Sequence, residues 1–181
     1  MTARSTPIVL SRECSATTVP FGERVTLDAG SEVVIVQQLG GSITVRTEYG
    51  PLLRIDAVDA DALGLDARPG TVPPADGPFE MRQVTDALQG VYDPEIPISI
   101  IELGLVYRCE EIRRDDGTRR IEIDMTMTAP GCGMGEVLRA EATRVVEALP
   151  GVDVVEVTLV WTPPWTIHQM SEAARLQLGL L

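Results

Sequence analysis

The sequence contains no lysine, and all 15 basic residues among its 181 are arginine. This absence excludes Schiff-base chemistry on a lysine amine and a phosphate-binding loop that depends on lysine. A single histidine, His168, excludes a zinc site made from several histidines of one chain, and any catalytic triad would have to use it. The three cysteines, Cys14, Cys109 and Cys132, are far apart and form no Cys-x-x-Cys pair. A disulfide framework is therefore not expected.

Long apolar segments and basic patches are also missing. No apolar run approaches the roughly 18 residues of a membrane-spanning helix. The N-terminus lacks the charged, apolar and small-residue order of a signal peptide, so we expect a cytoplasmic protein without membrane association. The formal net charge is −12. Residues 1–77 carry ten acids against six arginines, and residues 78–181 carry 17 against nine. Because both halves are acidic, no nucleic-acid partner is predicted.

The distribution of turn residues predicts two domains. Residues 8–56 contain short β-branched runs separated by glycine and proline turns, among them Gly40-Gly41. This pattern predicts a small, mostly antiparallel β domain over residues 1–65. Residues 66–78 contain four prolines and two glycines, which disfavour both helix and sheet and predict a linker. Residues 79–181 would then form the second domain.

The second half has mixed periodicity. Apolar residues at helical spacing predict a helix within residues 79–89, and strict alternation over Ile121–Met127 predicts a half-buried strand. The predicted order is helix, strand, strand, helix, strand and a tail helix capped by Ser171. Asp116-Gly117 predicts a type I′ turn between the first two strands. We expect an α+β fold with helices on one face of a small three-stranded sheet.

Cys132 is the candidate reactive or metal-binding residue. It follows the alternating strand, precedes a helical pattern and lies between Gly131 and Gly133. A helix N-terminus favours negative charge, which would lower the pKa of this thiol and favour the thiolate that binds soft metals. The alternative is a packed cysteine where a strand turns sharply into a helix. One thiol does not complete a metal cage.

Two further segments are candidates for the site. Asp93 and Glu95 flank Pro94, and this rigid corner could bind a hard cation, accept a proton or cap local amides. Glu102 is another nearby acid, which we expect to be solvated. Trp161–Trp165, with two prolines between the tryptophans, predicts either a lid or interface anchor, or a cover of the core. His168 is either a structural residue or a ligand.

Four ordered motifs give the chain a resemblance to a known family. They are Asp93-Pro94-Glu95, Glu102-Leu103-Gly104-Leu105-Val106-Tyr107, Ala129-Pro130-Gly131-Cys132 and Trp161-Thr162-Pro163-Pro164-Trp165. Over residues 79–175 the chain resembles the small iron–sulfur assembly domain shared by cytosolic iron–sulfur targeting factors and PaaD-type proteins. Motifs of the first half resemble the N-terminal extension of the SufT family of auxiliary factors in bacterial iron–sulfur cluster maturation.

This resemblance implies a non-enzymatic role in delivering or maintaining clusters on client proteins. It assigns the family's cysteine to Cys132 and its acidic corner to Asp93 and Glu95. The implied partners are the iron–sulfur assembly machinery and client apo-proteins. Because one chain supplies one well-placed thiol, a labile cluster or iron would be shared between two subunits of a homodimer. Two alternatives stay open: a thiol-dependent enzyme using Cys132, and an adaptor that docks clients without binding metal.

Overall fold

The computed structural model describes residues 6–47, 50–66, 78–93, 96–131 and 133–180. The chain divides into two compact units, residues 1–71 and 72–181, which are described separately below. The predicted linker lies largely outside the described residues, so the predicted domain boundaries stay a prediction. Within the described ranges, no helix is both long enough and apolar enough to cross a bilayer.

The first unit contains one six-stranded sheet in which every neighbouring pair is antiparallel. Its order is β1-β4-β5-β6-β2-β3. The strands are β1 (Ile8–Val9), β2 (Cys14–Val19), β3 (Arg24–Leu27), β4 (Glu32–Leu39), β5 (Ser42–Thr47) and β6 (Leu52–Asp56). Buried apolar side chains, including Ile43, Val45 and Ile55, form its core because β-branched residues pack well on a pleated sheet. The predicted antiparallel β architecture is confirmed.

A 3₁₀ segment, Ala57–Leu63, follows β6 and is tied to the loop before β2 by one arginine. The Arg12 guanidinium donates from Nε to Asp61 at 2.8 Å and from Nη2 to Asp59 at 2.9 Å. This hydrogen bonding holds the pKa of Asp61 below its usual range. The Arg12 guanidinium therefore fixes the position of a segment almost 50 residues away in sequence.

The second unit follows the predicted order of elements. They are α1 (Met81–Gln89), β7 (Val106–Arg113), β8 (Arg119–Met125), α2 (Gly135–Glu147), β9 (Val154–Leu159) and α3 (Glu172–Gln177), with a 3₁₀ turn at Ile167–Gln169. Strand β8 is central, antiparallel to β7 and parallel to β9. Helix α2 contacts both β9 and α1. A three-stranded sheet with helices is thus confirmed for this unit.

The two faces of this sheet have opposite chemistry. Ile121, Ile123 and Met125 have no solvent-exposed area, because alternate residues of a central strand point into the core. On the other face Arg108 binds Asp124 at 2.7 Å and Glu122 at 3.3 Å. The sheet therefore pairs an apolar core face with a face of arginine–carboxylate pairs.

The β7–β8 turn differs from the prediction. A type I′ turn needs positive φ at both central residues, yet no described residue other than glycine has positive φ. Gly117 alone takes φ +86° and donates a 2.9 Å hydrogen bond to the Arg114 carbonyl. Asp116 instead accepts the Thr118 amide at 2.9 Å through its side chain. The turn is a longer loop stabilised by that aspartate, so the type I′ prediction is wrong.

Candidate functional site

The topology of the second unit brings three of the four motifs to one edge of its sheet. Met125 at the end of β8 pairs with Leu159 at the end of the parallel strand β9. Met125 also pairs with Val106, the first residue of the antiparallel strand β7. The loop before β7, the loop after β8 and the segment after β9 therefore start from the same edge.

Backbone hydrogen bonds hold these three segments in place. The Thr126 amide donates to the Leu105 carbonyl at 2.8 Å, and the Val160 amide donates to the Met125 carbonyl at 2.8 Å. Thr126 is almost fully buried, so both partners of its bond are shielded from competing water. The end of β8 is thereby fixed between the second and fourth motifs.

The acidic corner is joined to the same edge through the backbone. The Ile100 amide donates to the Val91 carbonyl at 2.9 Å, and the Leu105 amide donates to the Ile100 carbonyl at 2.9 Å. Asp93 is 5% exposed, and its Oδ1 accepts the Ile96 amide at 3.1 Å. Asp93 thus acts locally as a turn-forming carboxylate, which was one of its predicted roles. Glu95 lies outside the described residues.

The cysteine loop, residues 128–134, connects β8 to α2. Cys132 itself lies outside the described residues. Around it, Ala129, Pro130, Gly131 and Gly133 are exposed, and Gly131 has φ +77° with no atom near its missing side chain. Helix α2 begins at Gly135, three positions after the cysteine. Met127 and Met134, on either side of these exposed residues, are buried.

The segment after β9, residues 161–170, is called the strap below. Trp165 donates its indole N–H to the Leu103 carbonyl at 2.8 Å. The Tyr107 hydroxyl donates to the Pro163 carbonyl at 3.1 Å and accepts from Gln169 Nε2 at 2.8 Å. Trp161 is 43% exposed. Trp165 therefore anchors the strap to the loop before β7, while Trp161 stays accessible.

Glu102 was expected to be solvated, and this expectation is wrong. Its side chain is partly buried and accepts a hydrogen bond from the Ser171 hydroxyl. The Ser171 amide donates to the Glu102 carbonyl at 2.9 Å, and Ser171 also caps α3 as predicted by accepting the Ala174 amide at 3.0 Å. Sequence patterns could not pair Glu102 with a residue 69 positions away. His168 is exposed in the 3₁₀ turn.

The two described cysteines do not join this edge. Cys14 is buried in the core of the first unit, and Cys109 is partly buried opposite Ile123 in the middle of β7. Burial raises the pKa of both thiols, which disfavours the thiolate. Within the described part of the chain, no three histidine, cysteine or acidic residues are grouped to hold a metal ion.

Comparison with known proteins gives matches that cover about half of the chain. A family model described as "Iron-sulfur cluster assembly protein" matches residues 81–159. The chain is 40% identical to the Staphylococcus aureus "Fe-S protein maturation auxiliary factor SufT", over half of this chain and 98% of that protein. It is 38% identical to the Bacillus subtilis "Fe-S protein maturation auxiliary factor YitW", over 54% of this chain and 91% of that protein. A crystal structure of a Bacillus anthracis domain of unknown function is 33% identical, with a TM-score of 0.48, over 56% of this chain and 92% of its own. The resemblance indicated by the four motifs is confirmed.

Proposed function

Since the chain belongs to the iron–sulfur cluster assembly protein family, we propose that it is an auxiliary factor in maturation that delivers or maintains clusters on client proteins. The observation that carries this proposal is the sheet edge from which three motif segments start, one of them the cysteine loop with its exposed residues. Such an edge can present a thiolate to a partner without enclosing it. A protein that passes a cluster on needs this access, whereas a permanent cluster site would be closed.

Cys132 is the ligand or transfer thiol in this proposal. Clusters are held mainly by cysteine thiolates, usually four. Burial and a raised pKa make Cys14 and Cys109 poor donors, which leaves Cys132 as the thiol of each chain. Two subunits would supply two Cys132 thiolates, completed by Glu95, water or an outside thiol. Incomplete ligation of this kind favours release of the cargo.

Asp93 and Glu95 serve as polar neighbours of the thiol. The buried carboxylate of Asp93 already accepts the Ile96 amide, so its contribution is to hold the corner in shape. Glu95 would then be the acid free to approach the cluster or a proton. The assembly machinery and client apo-proteins are the partners, and the acidic chain would steer partners that carry positive patches.

The fold of the second unit supports the roles proposed for these residues. We expect the helices to cover the apolar face that contains Ile121 and Ile123, leaving the arginine–carboxylate face uncovered. The proposed linker at 66–78 would let the antiparallel β domain at 1–65 act as a separate module.

Anaerobic reconstitution of the full chain with iron and sulfide tests the role of Cys132. We expect a thiolate-to-iron absorption band that disappears in Cys132→Ser. Cys109→Ser is the matched control, because it removes a thiol of the same unit whose raised pKa disfavours metal binding, and it should retain the band. A band lost equally in both variants, or retained in Cys132→Ser, contradicts the assignment.

A second candidate function is that of a client-docking adaptor that never binds metal. The exposed Trp161, on a strap that Trp165 anchors, favours it, because an exposed aromatic side chain is a typical interface anchor. Maturation of clients in cells by Cys132→Ser, with no metal bound at any stage, would support the adaptor. Turnover of a small substrate by the isolated protein would instead support a thiol-dependent enzyme.

A further inference from the structure

Strand β9 is an outer strand of the three-stranded sheet in the second unit. All of its residues, Val154–Leu159, pair with β8. Among the described residues, no other strand pairs with β9, and no backbone hydrogen bond reaches it from a loop. In an outer strand, alternate residues point their amide and carbonyl groups away from the neighbouring strand, where an added strand can bind them. The side of β9 that faces away from β8 is called the open side below.

The other outer strand, β7, has features that disfavour the addition of a strand. Its register with β8 shifts between Val106 and Arg108, so Tyr107 is the extra residue of a bulge. Glu111 lies opposite the buried Ile121, which places a charged residue on the core side of the sheet. Bulges and inward-pointing charges are two of the ways in which proteins protect an outer strand from pairing. β7 is therefore protected.

β9 has neither of these features. Its pairing with β8 is regular over its whole length, and its sequence contains no proline and one charged residue, Glu156. Val155, Val157 and Leu159 pair with buried residues of β8 and so lie on the core side. Val155 and Leu159 are only partly buried. A regular, largely apolar outer strand without such protection is a typical site for the addition of a strand.

The charged face of the sheet indicates which segment would fit. Glu110, Glu122 and Glu156 lie side by side across the three strands and are called the glutamate row. Two guanidiniums, those of Arg108 and Arg120, pair with these three carboxylates. Glu156 is the β9 end of the row, and its side chain is 55% exposed. Because the row carries more carboxylates than guanidiniums, a lysine or arginine opposite Glu156 would be favourable.

We propose that the open side of β9 binds an extended segment of a partner protein as a fourth strand, and that apolar residues alternate with lysine or arginine in this segment. Main-chain hydrogen bonds would supply affinity, and the alternation would supply specificity. The apolar residues would extend the core-side row of β9, while the basic residues would meet Glu156. Since Leu159 lies at the sheet edge from which the three motif segments start, one end of the bound segment would reach that edge. The identity of the partner as a client rests on the proposed function.

The probe is a synthetic peptide of four valines alternating with three arginines, with both termini blocked, added to the full chain. At saturating peptide, hydrogen exchange of the outward-facing amides of β9 should slow about tenfold, because they gain hydrogen bonds. Amides of β7 should exchange at their original rates. A control peptide with the same composition, in which two pairs of valines flank the three arginines, keeps the charge without the alternation. It should bind about tenfold more weakly.

Glu156→Gln tests the charge complementarity. It should weaken binding of the alternating peptide about threefold to fivefold, since one cross-strand charge pair is lost. Glu110→Gln is the matched control, because it removes a similarly exposed carboxylate, 59% against 55%, from the other end of the glutamate row. Its effect should stay below about twofold, since the lost charge is two strands away and is screened by salt.

Four results overturn the proposal. They are unchanged exchange in β9, slowing in β7 instead, equal binding of the two peptides, and equal loss of affinity in Glu156→Gln and Glu110→Gln. The exchange measurement uses the wild type, so it does not depend on the folding of a variant. None of these readouts requires iron, so their failure is distinguishable from the absence of an iron–thiolate band.

Discussion

The amide of Thr126 donates a 2.8 Å hydrogen bond to the carbonyl of Leu105. This bond joins the residue that follows β8 to the loop that precedes β7, and it lies two residues before the cysteine loop. Leu105 in turn donates to Ile100, which donates to Val91. A series of backbone hydrogen bonds therefore connects Val91, two residues before Asp93, to Thr126, two residues before the cysteine loop.

Gly104→Ala should destabilise the second unit because of both backbone strain and a steric clash. Gly104 has φ +67°, and an added methyl would lie 2.0 Å from the Gln169 carbonyl. Together these effects should lower the free energy of unfolding by about 2–4 kcal/mol. Urea unfolding followed by the fluorescence of Trp161 and Trp165 measures it.

Gly117→Ala is the matched control for that measurement. Gly117 has φ +86° but nothing within 4 Å of the added methyl, so it retains the backbone strain without the clash. It should cost about 1–2 kcal/mol. Equal losses in the two variants would show that the close approach of the strap to Gly104 contributes nothing to stability.

Arg12→Met should reduce the loss of stability that the first unit undergoes as the pH falls. The hydrogen bond from Arg12 lowers the pKa of Asp61 in the folded state, so the stabilisation is present above the unfolded pKa of about 3.9. It is lost as pH falls through the lower folded pKa. The wild type should therefore lose more stability than the variant between about pH 5 and pH 2.

Urea unfolding followed by circular dichroism at several pH values measures this difference. Arg24→Met, at an exposed arginine of β3, is the control. Its free energy of unfolding should depend on pH as that of the wild type does. If Arg12→Met and the wild type lose the same stability over this pH range, Asp61 does not owe its lowered pKa to Arg12.

Ser171→Ala should weaken the junction between α3 and the loop that contains Glu102. The hydroxyl both caps α3 and donates to the Glu102 carboxylate. Loss of such a cap costs about 1 kcal/mol. Ser171→Thr retains the hydroxyl and should stay close to wild type by tryptophan-detected urea unfolding, and an alanine variant as stable as the threonine variant would refute the role of the cap.

Local patterns predicted much of the second unit because short-range physics determines it. The spacing of Val84, Ala87 and Leu88 predicted α1, the alternation of Ile121 and Ile123 predicted β8, and all five residues are buried. Each of these patterns depends on a periodicity of 3.6 or 2 residues, which neighbours in sequence define.

Long-range pairings and the choice between turn types could not be predicted in this way. Tyr107 belonged to a recognised motif, yet its bulge depends on the register with β8 and its partners Pro163 and Gln169 are more than 50 residues away. Asp116-Gly117 predicted a type I′ turn, whereas the turn is a longer loop in which the Thr118 amide donates to the Asp116 side chain. Both outcomes depend on contacts that local sequence patterns do not reveal.

The central claim, that Cys132 carries a cluster to clients, is tested most directly by cluster transfer. Full-length wild type and Cys132→Ser would be reconstituted anaerobically and mixed with an apo-ferredoxin, and ferredoxin cluster formation would be followed by circular dichroism. The account predicts transfer from the wild type and from Cys109→Ser, and none above the protein-free background from Cys132→Ser. Equal transfer from Cys132→Ser and the wild type would contradict it.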